Sequence, residues 1–356
     1  MVDTKKGSAL PRGLSSSDKV YLAPIVGKDI SALKVAVRFE GGRFVLSNHA
    51  LAEVEDWAVQ ENLIQNRLMQ QISHLKDYAA KTTVWGHDEP LIMGIVNVTP
   101  DSFSDGGRFL HSDEAEQQAI KLLEDGATIL DIGGESTRPG ADLVGLDEEK
   151  ARVLPVIKAL REKDVLLSVD TRKASIMAAA IEAGADIIND VTALDYDRES
   201  LSVTAKSSAK VCLMHSAADP KVMQDNPVYD HVLFDVYDYL EGRIGACIQA
   251  DIPRERLSID PGIGFGKTLG HNLSLLKGLG FFHSLGCPLL LGVSRKSFIG
   301  RLDRTGEADQ RIGGSLSALL YGYAAGVQIF RVHDVAETRQ ALTVWEHIEK
   351  TGLKDG

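Results

Sequence analysis

Apolar residues follow two different patterns along the 356-residue chain, with a change near residue 90. From Leu91 onward, short apolar runs alternate with amphipathic stretches. The runs Leu91–Val96, Thr128–Ile132, Val165–Val169, Ala185–Asn189, Lys210–Met214, Leu257–Ile259, Pro288–Val293 and Val327–Val332 read as strands buried on both faces. Helical spacing separates them over Ser112–Asp125, Leu146–Lys163, Lys173–Ala183, Tyr229–Ala250 and Val335–Lys350. Eight strand–helix units over about 260 residues predict an α/β chain folded as a (β/α)8 TIM barrel spanning 90–352. A doubly wound open sheet is the alternative, but its first strand would run into a glycine-rich fingerprint that Gly94 alone does not supply.

Upstream the pattern differs. Lys34–Leu46 alternates polar and apolar positions on either side of Gly41-Gly42, which predicts a β-hairpin. Ala50–Tyr78 carries apolar residues at helical spacing, one long helix or two shorter ones. Residues 1–20, rich in Ser, Lys and Gly, read as a flexible tail, and 21–89 as an accessory segment for packing or assembly that bears no chemical constellation.

Composition narrows the function classes. With 44% hydrophobic and 25% charged residues, the chain has the balance of a soluble globular protein. A net charge of −11 and the lack of a basic run argue against nucleic acid or an anionic membrane as partner. Three cysteines without a CxxC pair suit a reducing compartment, and no apolar stretch has the length of a spanning helix or secretory signal. A cytoplasmic enzyme acting on small molecules is the expectation.

Polar residues concentrate just after the strands, the end at which a barrel builds its active site. In order come Asn97 with Thr99, Asp101 and Ser102; Asp131 to Gly140, reading DIGGESTRPG; Ser168-Val169-Asp170-Thr171; Asn189-Asp190; Met214-His215; Asp260 to Lys267; Ser294-Arg295-Lys296; and Arg331-Val332-His333-Asp334. An acid after a strand often only caps the next helix, and Asp101, Asp190 and Asp334 fit that role as well. Convergence of so many strand ends on one rim argues for a site. The cations Arg138, Lys296, Arg331 and His333 suit an anion such as diphosphate, and Asp170, Asp260 and Asn189 suit a heterocycle with several N–H donors. Two tempting motifs fail. Pro261–Thr268 (PGIGFGKT) has proline where a phosphate loop needs its first glycine, and Cys212 with His215 lacks the partner pair of a zinc site.

The segments NVTPDSFSDGG, DIGGESTRPGA, SVDT, IND, DPGIGFGK, SRKS and RVHDV, in this order, resemble dihydropteroate synthases over about Leu91–Lys350. The resemblance implies a folate-biosynthesis transferase that joins 6-hydroxymethyl-7,8-dihydropterin diphosphate to 4-aminobenzoate and releases diphosphate. It implies catalytic roles for Asp170, Lys296, Arg331, His333, Arg138 and Asp101. Asp170, Asn189, Asp260, Phe265 and Lys296 would hold the pterin; Asn97, Arg138, Arg331 and His333 the diphosphate; Phe103, Thr137, Pro139 and Ser294 the aminobenzoate. Asn97 would bind the Mg²⁺ cofactor. Mobile loops carrying Asp101–Gly107 and Glu135–Gly140 would close over the site, and two barrels would form a homodimer. The uninterrupted Ser136–Gly140 segment implies sulfonamide sensitivity. After Met214-His215 the family continues with Met, whereas this chain reads Ser216-Ala217-Ala218-Asp219, a loss of apolar contact with the pterin. The alternatives are a non-catalytic pterin-binding paralogue and a methyltetrahydrofolate-type methyltransferase barrel. The second would not need the Arg138, Arg331 and His333 clamp.

Overall fold

The computed structural model describes residues 3–4, 9–88, 90–98, 108–136, 143–216, 227–304 and 306–351. In the first part of the chain, β1 (Asp3–Thr4), β2 (Lys19–Val26), β3 (Asp29–Arg38) and β4 (Phe44–Ala50) form one sheet in the order β1-β4-β3-β2. The hairpin expected around Gly41-Gly42 joins β3 to β4, and both glycines take positive φ, 88° and 82°. Sequence reading missed β2. Its apolar run is broken by Pro24, and the strand lies at the sheet edge, with a register shift between Pro24 and Val26. The helical stretch after the hairpin is two helices, α1 (Leu51–Gln60) and α2 (Gln65–Ala80). Residues 9–18, read as flexible tail, are held against α1. Trp57 Nε1 donates to the Pro11 carbonyl at 2.6 Å, and Glu61 accepts the Gly13 and Leu14 N–H groups at 3.1 and 3.0 Å.

A two-residue hairpin follows, β5 (Thr83–Val84) and β6 (His87–Asp88), turning through Trp85 and Gly86 at φ 53° and 86°. The eight expected barrel strands are then all present: β7 (Leu91–Asn97), β8 (Ile129–Gly133), β9 (Leu166–Asp170), β10 (Ile187–Asp190), β11 (Lys210–Met214), β12 (Leu257–Asp260), β13 (Leu290–Leu291) and β14 (Ile329–Val332). They pair in parallel in the order β12-β11-β10-β9-β8-β7-β14-β13, and an Ile259–Leu289 bridge closes the ring. Helices α3 (Arg108–Glu124), α4 (Leu146–Leu160), α5 (Ala174–Ala183), α6 (Ser200–Ala205), α7 (Val232–Gln249), α8 (Leu269–Lys277), α9 (Ser297–Asp303), α10 (Ile312–Ala324) and α11 (Val335–Lys350) surround it. This is the TIM barrel predicted from the alternation of runs. No helix among the described residues is long and apolar enough to cross a membrane.

Strand alternation separates two cores. Ile92, Val96, Leu130, Ile132 and Val169 face the helices, while Leu91, Met93, Ile129, Ile187, Leu290 and Ile329 fill the barrel's lower interior and meet Val84 of the small hairpin. An apolar plug therefore closes the strand N-termini, which leaves the C-terminal ends as the place for polar chemistry.

The N-terminal module has its own core, built on Leu22, Leu33, Val35, Val54, Leu68 and Leu75. It docks on α7 through an aromatic seam. Tyr21 stacks on Phe234 at 4.1 Å and meets Tyr237 edge-on at 5.1 Å. Around that seam Lys19 reaches Asp238 at 2.8 Å, Arg38 reaches Asp235 at 2.8 Å and Arg67 reaches Glu241 at 3.0 Å. The aromatic contacts outweigh these half-exposed ion pairs, which contribute about 0–1 kcal/mol each. Tyr21→Ala is therefore expected to destabilise the protein by about 3 kcal/mol in urea unfolding, and Lys19→Ala by less than about 1 kcal/mol.

Candidate active site

The upper interior begins with an acid in an otherwise apolar strand. In β8 the sequence Ile129-Leu130-Asp131-Ile132-Gly133 points Ile129, Asp131 and Gly133 inward, and Asp131 is fully buried. It is satisfied from three strands. Ser168 Oγ of β9 donates to it at 2.6 Å, Asn189 Nδ2 of β10 at 3.0 Å and Arg331 Nε of β14 at 2.6 Å. Arg331 Nη2 donates to Asp170 Oδ2 at 2.8 Å, while Nη1 has no partner among the described residues. The sequence motif assigns Asp131 no role of its own. A lone carboxylate in a fully buried strand was the available signal, since such a charge needs a partner.

Asp170 ends β9 in line with Asn189 and, across β8, beside Gly133 and Asn97. Its Oδ2 takes Arg331, but its buried Oδ1 has no partner among the described residues. Burial drives its pKa up to about 7; Arg331 opposes the rise and the neighbouring Asp131 adds to it. Asp260 closes β12, accepts the Gly262 N–H at 2.7 Å, and is likewise raised by burial.

The segment after β12 wraps toward this acid pair. Gly262 has φ 68°, and a Cβ there would lie 1.9 Å from the His215 carbonyl oxygen, so only glycine fits. Lys296, at the start of α9, donates to the Ile263 carbonyl and lies 4.6 Å from the Phe265 ring centre. Burial lowers its pKa to about 8, against the pull of Asp260. Lys267, the lysine of the failed phosphate motif, is 2% exposed and donates to His215 Nδ1 at 3.0 Å and the Phe265 carbonyl at 2.9 Å. It ties two loop bases together and does not face a phosphate pocket. His333 Nδ1 lies 3.0 Å from Ser294 Oγ, which also accepts the His333 N–H at 3.1 Å.

Asp170, Asn189, Asp260, Lys296, Phe265 and Arg331 thus cluster at the C-terminal end of the barrel, linked through Arg331 and Lys296, with Asn97, Ser294 and His333 on neighbouring strand ends. Asp190 does not join them. It is fully buried and caps its own loop, accepting the Thr192 and Leu194 N–H groups at 2.7 and 3.0 Å. Asp334 pairs with Arg295. Both carry the capping or supporting role that suits an acid at a strand end. Asp101, Phe103, Thr137, Arg138 and Pro139 lie outside the described residues, as do Ala217 to Asp219. Among the described residues no group of three or more His, Cys, Asp or Glu side chains could hold a metal.

The profile of the family described as pterin binding enzyme matches residues 93–333, and the chain belongs to that family. Within it, the chain is similar to the dihydropteroate synthase of Haemophilus influenzae, 48% identical over 259 residues, covering 72% of this chain and 93% of that protein. It is also similar to two solved structures of Xanthomonas albilineans dihydropteroate synthase. The structure with 4-aminobenzoic acid has a TM-score of 0.71 and 46% identity, and the complex with 7,8-dihydropteroate 0.68 and 44%. Each covers 74% of this chain and 95% of the solved one. The N-terminal module, 19–80, lies before the matched residues.

Asp170 predicts a trade between site and stability. Its folded-state pKa of about 7 stands above the ordinary 3.8, so the stability it contributes is full below that ordinary value and is lost as pH rises through about 7. Asp170→Asn is expected to melt above the wild type at pH 8 and level with it near pH 4. Parallel Tm profiles would contradict the raised pKa.

Proposed function

We propose that the barrel joins 6-hydroxymethyl-7,8-dihydropterin diphosphate to 4-aminobenzoate, forming 7,8-dihydropteroate and diphosphate. The observation that carries this reading is the carboxylate oxygen of Asp170 left without a partner among the described residues, beside Asn189 and Arg331, whose charge also reaches Asp260 and Lys296. Two acids, an amide and an ammonium grouped at the strand C-termini complement a ring with N–H donors on one edge and a carbonyl acceptor on another. Phe265 adds an apolar wall beside Lys296. The solved relatives named above hold 4-aminobenzoic acid or 7,8-dihydropteroate, which supports the same pair of ligands here.

The reaction breaks the C–O bond between the pterin methylene and diphosphate and forms a C–N bond to the aminobenzoate nitrogen, which loses a proton. Positive charge develops on the pterin side, where the Asp170 carboxylate favours it. Negative charge develops on diphosphate, toward which Arg138, the remaining Nη1 donors of Arg331, and His333 would act. The aniline nitrogen is a weak nucleophile, so Thr137, Pro139, Phe103 and Ser294 would serve to position it. The segments bearing Asp101 and Arg138 would supply the last contacts.

Asn97 fits a Mg²⁺-diphosphate in donor type. It offers one amide oxygen at the β7 terminus, on the Asp170 side of Gly133, and Mg²⁺ takes few protein ligands when substrate phosphates supply the rest. Bound there with the substrate, the ion would neutralise charge on the leaving diphosphate. We also place the enzyme in the cytoplasm as a homodimer. A groove of about 390 Å³ between α8, α9 and α10, where Leu273, Leu302 and Tyr321 are exposed, gives a second copy an apolar surface.

Diphosphate release with pterin diphosphate and Mg²⁺, measured with and without 4-aminobenzoate, tests the reading. Release should require 4-aminobenzoate, be competed by a sulfonamide, and fall at least about 100-fold in Arg331→Ala and Lys296→Ala. Tight pterin binding without release in either condition would favour the non-catalytic paralogue.

A further inference from the structure

The N-terminal module presents one sheet face to the barrel, and the mechanism above uses none of it. Strand alternation divides that sheet. Leu22 and Val35 pack on the module's own helices, while Tyr21, Ala36 and Phe44 pack on the barrel's outer core. Arg38 and Phe44 stand opposite each other at the end of β3 and the start of β4. Both reach the first turn of α7. Phe44 lies 4.6 Å from the His231 ring and stacks on Phe234 at 5.3 Å. Arg38 Nη1 donates to Asp235 Oδ1 at 2.8 Å, and Asp235 Oδ2 accepts the His231 N–H at 2.9 Å. One carboxylate therefore joins the module to the start of the helix.

Two residues before His231, the chain turns toward the candidate site. Val228 and Asp230 face solvent, Val228 83% exposed, while Tyr229 between them is half-buried. Tyr229 donates its hydroxyl to the Gly266 carbonyl at 2.9 Å, and its ring meets His271 edge-on at 5.1 Å. Burial pushes its pKa up to about 12, so it stays a donor at neutral pH. Gly266 sits between Phe265, the apolar wall beside Lys296, and Lys267, which braces the Phe265 carbonyl. The Tyr229 hydrogen bond thus ties that wall from the side of α7. A short exposed segment with few apolar contacts opens easily unless it is held at both ends. Here the module holds His231, and the Gly266 carbonyl holds Tyr229.

We propose that Tyr229 is a positioning residue for the pterin and that the N-terminal module keeps it in place. Phe44 and Arg38 fix the start of α7, and Tyr229 then sets Phe265 against the ring. The inference rests on the pterin reading of the site, since only there does Phe265 meet a ligand. It gives the module a task in substrate binding, beyond the packing or assembly expected of it from sequence. A wall ordered before the ligand arrives strengthens binding, because the ligand no longer bears the ordering cost.

The test uses the full chain. Fluorescence gives Kd for 6-hydroxymethylpterin, and diphosphate release at saturating pterin diphosphate gives KM for 4-aminobenzoate. Tyr229→Phe keeps the ring and removes one hydrogen bond, so the pterin Kd should rise about fivefold or more. The aminobenzoate KM should stay within about twofold. Phe44→Leu, in the module, should raise the same Kd about threefold, and the double variant should lose less than the two effects multiplied. Val54→Ala lowers stability from within the module's own core, away from its barrel face, and should bind pterin like the wild type. An unchanged pterin Kd in Tyr229→Phe or in Phe44→Leu would overturn the proposal. An equal loss in Val54→Ala would do the same, since the effect would then follow stability alone. Wild-type protein that binds no 6-hydroxymethylpterin would instead remove the pterin reading itself, so the two failures are distinguishable.

Discussion

A charge that cannot leave the barrel interior governs the site. Arg331 projects from β14 into space that the apolar plug closes from below, and a guanidinium keeps its proton there. Burial works against its charge, yet Asp131 and Asp170 hold it firmly protonated. Asp131, with three donors from β9, β10 and β14, spends its capacity on fixing these strand ends against one another. Asp170 is left with one oxygen committed and one uncommitted. The recognition surface follows from this unequal division. Had Arg331 made a symmetric fork to Asp170, both of that carboxylate's oxygens would be engaged and it would offer a ring N–H less.

The same logic of anchoring runs outward. Lys267, fully buried, and Lys296, partly buried, both lie near Asp260, and both donate to loop carbonyls around Phe265. Lys267, its pKa driven far down by burial, acts as a hydrogen-bonding brace between His215 and the loop after β12. Lys173 does a corresponding job beside β9 with its charge retained by two acids. The N-terminal module contributes none of these groups. It covers α7 by setting Tyr21 against Phe234 and Tyr237, and the short hairpin that follows it seals the barrel floor with Val84.

The barrel was legible because strands buried on both faces cannot alternate. Runs such as Leu91–Val96 and Lys210–Met214 therefore stand out against amphipathic helices whatever the loops do. Strand β2 was not legible: Pro24 interrupts it, and its edge position tolerates that interruption. The short hairpin at Val84 was missed because two-residue strands leave no periodicity to count. In the site, strand-end position picked out Asp170, Asn189, Asp260, Lys296 and Arg331, which the fold does assemble. Strand-end position alone did not separate Asp170 from Asp190, since both close strands and both are buried; the alternation that turns Ile187 and Asn189 inward points Asp190 toward the helices, where it caps its own loop. Nor could strand-end position show that Arg331 would bond inward to Asp131, because that contact joins β8 to β14 across 200 residues.

Asp170 is a raised-pKa carboxyl that would become the ionised acceptor when a pterin binds. Calorimetry of 6-hydroxymethylpterin binding in buffers of different ionisation enthalpy counts the proton directly. At pH 6, below the carboxyl's pKa of about 7, binding should release close to about one proton, falling toward zero by pH 9 and disappearing in Asp170→Asn. Binding at pH 6 with no proton released, or the same release in Asp170→Asn, would contradict that role.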